Sequence, residues 1–358
     1  MVGRERELAA LADALEAASH GEPTTVLVSG TSGIGKTRLL DEAARRLGTI
    51  PGGFTVLRGT AYPSRSGLPF TPVAEALARH LLALSDDDLR PLVHPAATEL
   101  VRIVPGLQVR LATLGLLPEQ PPIVTRIGRE ARMLEAILGS VSRIAEARPM
   151  VLVLEDLQDA DAGTRSAVSF LSRAVRERPL LIALTFEPDR MTRSHPLMRT
   201  LRSLDDGARP ARRIDVEPLD RDGTADLVSA IEGERPSATA LLQVTQRSGG
   251  NPLAIEEILA ARRELPGSRI GASLEQLSLS RLALRSHECR RVLRALALAG
   301  APIRPSRLSA ALAAFESATP ADGRRPSPAV GMRTASARRQ ASARVAGGAG
   351  DHRISEPV

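Results

Sequence analysis

Thr24-Thr25-Val26-Leu27-Val28-Ser29 runs directly into Gly30-Thr31-Ser32-Gly33-Ile34-Gly35-Lys36-Thr37. The first five residues are apolar or β-branched, and the run through Ser29 lies between Pro23 and Gly30, which reads as a buried strand. The next eight fit the spacing GxxxxGK[ST], and the residues from Thr37 to Leu47 carry helical periodicity. Strand, glycine-rich turn and helix is the setting in which that spacing has physical meaning. Gly30, Gly33 and Gly35 let the backbone adopt φ > 0 and approach phosphate oxygens closely. Successive N–H groups, from Thr31 through Ser32 and Ile34 to the helix start, form a positive nest for phosphates. Lys36 would place its charge on the β- and γ-phosphates, and Thr37 would ligate Mg²⁺ through its hydroxyl. With 28 Gly and a single Lys, a chance match is about one in a thousand. Lys36 is the only lysine against 47 Arg. A guanidinium fork is too bulky for such a loop, whereas an ammonium on a slim stem fits as a point charge.

Outward from that stretch, apolar runs alternate with helical patterns. Further strands are expected at Phe54–Arg58, Val151–Leu154, Leu180–Phe186 and, more weakly, Ile214–Val216. Helices are expected at Thr37–Leu47, Pro72–Leu84, Ile127–Ala147 and Ala162–Glu177. Buried runs without polar alternation suit a parallel sheet covered on both faces, so the fold class is a doubly wound α/β domain. The stretch Asp88–Pro122 is proline-rich and reads as a helical insertion. Beyond residue 217 the pattern is all helical: Asp220–Ile231, Pro236–Arg247, Pro252–Leu265, Ser286–Leu298 and Pro305–Ala314. From about Ser317 the composition turns to Ala, Arg, Gly, Ser and Pro, which cannot bury enough surface to offset ordering entropy.

Val151-Leu152-Val153-Leu154-Glu155-Asp156 is an apolar strand ending in two acids, a Walker B pattern. Glu155 would hold Mg²⁺, and Asp156 would orient or deprotonate an attacking water. If this strand lay beside the first, the two motifs would sit on adjacent central strands at the carboxyl edge of the sheet.

Composition narrows the alternatives. Aromatics make up 2% of the chain, so Leu, Val, Ile and Ala must build the core. The one cysteine, Cys289, excludes a disulfide framework and reads as a small buried side chain. The six His show no paired spacing, so helix-end or surface roles are expected and a metal site is not. Of the formal net charge of +7, six charges come from Arg within residues 323–350, where there is no acid. The body is then close to neutral, and no basic nucleic-acid face is implied. No apolar run suits a membrane span, and the charged start implies no secretory signal; a cytoplasmic location is the expectation.

With both motifs placed, the chain resembles the signal-transduction ATPases with numerous domains (STAND), specifically the origin-recognition-like AAA ATPase module that opens LuxR/MalT-like transcription regulators. Val2-Gly3-Arg4-Glu5-Arg6-Glu7-Leu8 resembles the segment that precedes the phosphate loop and borders the adenine. Leu154–Asp161 resembles the family's acidic strand end, and Gly249-Gly250-Asn251-Pro252-Leu253 resembles its lid motif, whose proline meets the nucleotide base. The same lid stretch also reads as a capped helix start. The resemblance implies a five-stranded parallel sheet in the order 5-1-4-3-2, a small helical lid, and an ATP/ADP switch with Mg²⁺. It places Gly3, Arg4 and Pro252 at the nucleotide, beside Gly30 to Thr37, while a surface role in the first turn of a helix is an equal reading of Arg4. The implied division is an ATPase domain over 1–217, a lid over 218–265, a partial winged-helix-like segment over 266–314 and a tail over 315–358.

Two departures from the family concern turnover. Gln158-Asp159 stand where the family has His-Trp, and Thr185-Phe186-Glu187 puts a carboxylate where it often has Arg. An acid near the γ-phosphate repels developing charge, so a non-hydrolysing nucleotide-bound scaffold is a second reading beside a slow ATPase. A P-loop ATPase or kinase valued for its product is a third. The expected partners are ATP and either a second copy or a protein partner; no DNA-binding domain is evident. The chain stops early for this family, and a truncated or frame-shifted product is the expectation.

Overall fold

The computed structural model describes residues 1–47, 53–63, 69–94, 96–118, 125–175, 177–207 and 209–264, with 279, 281–283, 285–299, 308, 309 and 312. Five strands form one parallel sheet: β1 (Thr24–Ser29), β2 (Thr55–Thr60), β3 (Met150–Glu155), β4 (Leu180–Phe186) and β5 (Arg212–Asp215). Their order across the sheet is β5-β1-β4-β3-β2. That is the order the resemblance implies. The conditional placement of the two motif strands side by side is corrected, because β4 lies between β1 and β3. The reason is compositional. Leu180–Phe186 is the longest of the five strands and apolar at all but Thr185, which suits the centre, where both edges are paired and both faces covered.

Alternate side chains of each strand feed two cores. On one face Leu152, Leu154, Ile182 and Leu184 pack under α3 (Thr71–Leu81), α7 (Arg126–Ala147), α8 (Ala162–Ala174) and α9 (Pro196–Asp205). On the other face Val151, Val153, Leu181 and Ala183 meet Leu8 and Leu11 of α1 (Glu5–Ser19) and Leu39 and Leu40 of α2 (Lys36–Leu47). Pro72 occupies the first turn of α3, where its missing N–H leaves nothing unpaired. The helix expected to reach Glu177 ends at Ala174, and Glu177 takes φ 52°.

The proline-rich insertion holds three short helices, α4 (Asp86–Val93), α5 (Ala97–Ile103) and α6 (Gln108–Thr113). Their Leu89, Leu100 and Leu111 join the same core as α7, so the insertion is packed rather than appended. After β5 come α10 (Arg221–Glu232), α11 (Ala238–Ser248) and α12 (Pro252–Glu264), which enclose a separate small core of Val228, Val244, Ile255, Ile258 and Leu259. Asp220 and Ser237 cap α10 and α11, and Gly233 and Gly249 end them in the left-handed conformation. A further helix, α13, spans His287–Ala299. Cys289 on it is only partly covered, which corrects the expectation of a buried side chain. Most of the helix expected at 305–314 and all of the 315–358 tail lie outside the described residues, as does the junction from Leu265 to 278. Among the described residues no helix is long and apolar enough to cross a membrane.

The five described His all stand at helix ends: His20, His94 and His195 as caps, His80 in a last turn and His287 in a first. Among the described residues no cluster of His, Cys, Asp and Glu could hold a metal by itself.

Candidate functional site

The loop after β1 closes into a nest. Gly30, Gly33 and Gly35 have φ of 154°, 75° and 102°. A Cβ on Gly30 would meet the Val216 carbonyl at 2.8 Å, and one on Gly33 would meet Leu253 at 2.8 Å; Gly35 faces open space. The first two glycines are required by close packing as well as by φ. The Ile34 amide bonds back to Thr31 at 3.3 Å, while among the described residues the amides of Gly33, Gly35, Lys36 and Thr37 meet no protein acceptor. These orphan donors at the start of α2 are what an anion would satisfy.

Lys36 is largely buried and folds back over the loop. Its Nζ donates to the carbonyls of Gly30 and Thr31, each at 3.0 Å, and to Glu187 Oε1 at 3.3 Å. Arg4 is buried beneath the loop, with Nη2 3.3 Å from the Ile34 carbonyl and Nη1 3.1 Å from Glu7. It braces the backbone that forms the nest. Gly3 packs against Leu219 and Gly223 at the start of α10.

The acidic edge lies across β4 from the loop. Glu155 is buried at the end of β3, and its Oε1 has no hydrogen-bond partner. Burial is the main influence and raises its pKa above the ordinary value. Arg58, 4.0 Å away, and the Thr37 hydroxyl oppose that rise, while the charges of Asp156 and Asp41 add to it. An orphaned carboxylate oxygen beside a threonine hydroxyl is a donor set that suits a hard divalent cation. Asp156 sits at φ 58°; its amide donates to Thr185 Oγ1 at 3.0 Å, and its Oδ1 accepts from Gln158 Nε2 at 3.3 Å. Gln158 Oε1 accepts from the Glu187 amide at 3.0 Å, so the residue that departs from the family joins the ends of β3 and β4.

The stretch from Gly249 to Leu253 comes down on the loop. Asn251 Nδ2 donates to the Ser32 carbonyl at 2.8 Å, and the Leu253 amide donates to the Gly33 carbonyl at 3.3 Å. Pro252 between them opens α12. Asn251 also caps α12, its Oδ1 accepting from Leu253 and Ala254. Gly250 lies against Leu219, where a Cβ would stand 2.2 Å from that residue's carbonyl oxygen. The structure thus gathers Gly30 to Thr37, Arg4, Gly3 and the residues around Pro252 into one corner, with Glu155 and Asp156 on its far side.

Sequence reasoning singled out Glu187 and Gln158 as departures but not the bonds they make. It missed Thr185 as the anchor of Asp156, Arg58 beside Glu155, and Arg190, which clamps Asp159 through two bonds of 2.8 and 3.0 Å. It also missed the bond from the Ser29 hydroxyl to Asp215 that closes the β1–β5 edge. A polar residue at the last position of a strand was the available signal for Ser29 and Asp215.

The chain belongs to the AAA ATPase domain family, whose profile matches residues 1–183. It is 28% identical over 281 residues to an uncharacterized protein of Rhizobium meliloti (strain 1021); the match covers 72% of this chain and 24% of that protein. The chain therefore spans about a quarter of that relative's length. Among solved structures it is similar to the Walker-type ATPase PABY2304 of Pyrococcus abyssi, with TM-score 0.47 and 15% identity over 88% of this chain and 89% of the other. It is also similar to a STAND protein with a tetratricopeptide repeat sensor, PH0952 from Pyrococcus horikoshii, with TM-score 0.48 and 15% identity over 86% of this chain and 36% of the other.

Proposed function

We propose that this chain is a nucleotide-gated regulatory ATPase module of the STAND kind, working in the cytoplasm as the switch of a LuxR-type transcription regulator. One observation carries the reading: a nest of unpaired amides and a buried lysine lies at the end of β1, and a buried carboxylate with an orphaned oxygen lies at the end of β3. In this reading the amides from Gly30 to Thr37 hold the phosphates, and Lys36 neutralises them. Thr37 and Glu155 hold Mg²⁺, which when bound would neutralise phosphate charge. Asp156, oriented by Thr185 and Gln158, positions water for attack on ATP. Gly3, Arg4 and Pro252 border the base. Residues 1–217 are the ATPase domain and 218–265 the lid in this reading, while the winged-helix-like segment expected over 266–314 lies largely outside the described residues. Asn251 and Leu253 already touch the loop, so a nucleotide that alters the loop alters the lid.

The Lys36–Glu187 pair favours a second reading, a nucleotide-bound scaffold with little turnover. Chromatography of the supernatant from denatured, freshly purified protein tests the reading common to both. Released ADP or ATP is expected. No released nucleotide, together with no binding of added ADP or ATP, removes both readings. Phosphate release by wild type and Asp156→Asn separates them: release lost in the variant marks the ATPase, and no release from either marks the scaffold.

A further inference from the structure

Glu187 stands one residue beyond β4, and the pairing of Ser29 with Phe186 sets it level with Gly30, where the phosphate loop begins. An ammonium has three N–H donors. In Lys36 two go to the carbonyls of Gly30 and Thr31 and the third goes to Glu187. No donor is spare, so any phosphoryl oxygen taken by Lys36 must displace one of these partners. The Glu187 carboxylate is itself held in place. Its backbone amide is fixed by Gln158, its side chain is 11% exposed, and its second oxygen lies 3.8 Å from Arg190, which Asp159 clamps.

We propose that Glu187 sets the nucleotide preference of this loop, favouring a nucleoside diphosphate over the triphosphate. The inference rests on the nucleotide-binding reading above and deepens it. A diphosphate ends at the β-phosphate. Lys36 can release one carbonyl to reach it and keep Glu187 as its buried counter-ion. A triphosphate adds a γ-phosphoryl group between the lysine and the acidic edge formed by β3 and β4. That group competes with Glu187 for the same ammonium, and once it has won it leaves a buried carboxylate facing further negative charge. Glu187 thus mimics an occupied γ-position that only a diphosphate leaves undisturbed.

The test is titration calorimetry of the full chain with Mg²⁺, using ADP and the non-hydrolysable imido analogue of ATP, on wild type, Glu187→Gln and Glu187→Ser. Gln keeps the shape and can still accept from Lys36; Ser removes the charge by a second route should the first variant not fold. Melting without nucleotide checks that each is folded. Wild type is expected to prefer ADP by about tenfold or more, equivalent to ~1.4 kcal/mol. Both variants are expected to bind the triphosphate analogue at least about fivefold more tightly, with ADP affinity changed by about twofold or less. An unchanged ratio of the two affinities in the folded variants overturns the proposal while leaving nucleotide binding intact. Failure of wild type to bind either nucleotide overturns the nucleotide-binding reading and this inference together.

Discussion

Asn251 and Ser32 are 219 residues apart in the chain and joined by a hydrogen bond of 2.8 Å, from the side-chain amide of the first to the main-chain carbonyl of the second. The same asparagine caps α12 through its other amide atom. One side chain therefore fixes both the start of α12 and its seat on the loop after β1. Asn251→Asp keeps the capping oxygen and loses the donor; Asn251→Ala loses both. In hydrogen exchange, Asn251→Asp is expected to free the loop around Ser32 and Gly33 while the first turn of α12 stays protected. Asn251→Ala is expected to open both, at a cost of about 1–2 kcal/mol in denaturant melts. Equal exchange in the two variants would separate the seat of α12 from this bond.

Gly59 and Pro72 give the sharpest stability test. A Cβ on Gly59 would stand 1.8 Å from the Pro72 carbonyl oxygen, so α3 can reach β2 only over a glycine. Gly59→Ala must push the helix off the sheet and is expected to cost more than about 3 kcal/mol, or to prevent folding. A denaturation midpoint within experimental error of wild type would show that α3 is not seated this way.

Asp161 ties the turn after β3 to the start of α3. Its carboxylate accepts from the amides of Phe70 and Thr71 and from the amide and hydroxyl of Thr164. Phe70, buried at φ 62°, is held in that conformation by the bond. Asp161→Ala leaves several donors unpaired and is expected to lose about 2–4 kcal/mol, read by urea denaturation. Asp161→Asn should recover part of that loss, since one acceptor oxygen remains.

Glu155 makes stability depend on pH. Its folded-state pKa is raised above the ordinary 4.5, chiefly by burial. Between the ordinary and the raised value the folded protein binds more protons than the unfolded chain. Stability therefore falls as pH rises through that window and stays lower above it. Glu155→Gln removes this contribution. Without nucleotide, the variant should melt higher than wild type at neutral pH, and the gap should close as pH falls below the ordinary value. With Mg²⁺ and ADP the order should reverse, because only the carboxylate gains from a cation.

How much of this was legible in the sequence depends on the range of each interaction. The Gly30–Thr37 spacing carries its own geometry, because the nest is built from consecutive amides and the helix that follows them. The Leu180–Phe186 run is apolar at nearly every position, which already fits a central strand. The proline-rich stretch reads as a helical insertion, but prolines and brief periodicity hide the fact that Leu89, Leu100 and Leu111 belong to the main core. The contact of Glu187 with Lys36 depends on the register of β4 against β1, which no local pattern reports. Gln158 is similar. Its bond to Asp156 is local to the turn, but its bond to the Glu187 amide exists only once β3 and β4 are paired in register. The seat of Asn251 on Ser32 joins residues 219 apart in the chain, which no local pattern reports.

The central claim is that Lys36 and the amides around it bind a nucleotide polyphosphate. The direct measurement is the melting temperature of wild type, Lys36→Ala and Lys36→Ala/Glu187→Gln with and without Mg²⁺ and ADP. The double variant removes the carboxylate that the single one leaves buried with, among the described residues, only the Arg190 cation beside it. Wild type should gain stability as RT ln(1 + [L]/Kd), about 2.7 kcal/mol at a hundredfold excess over Kd, and both variants should lose nearly all of that gain. An equal rise in all three proteins, or none in wild type at millimolar ADP, would contradict the claim.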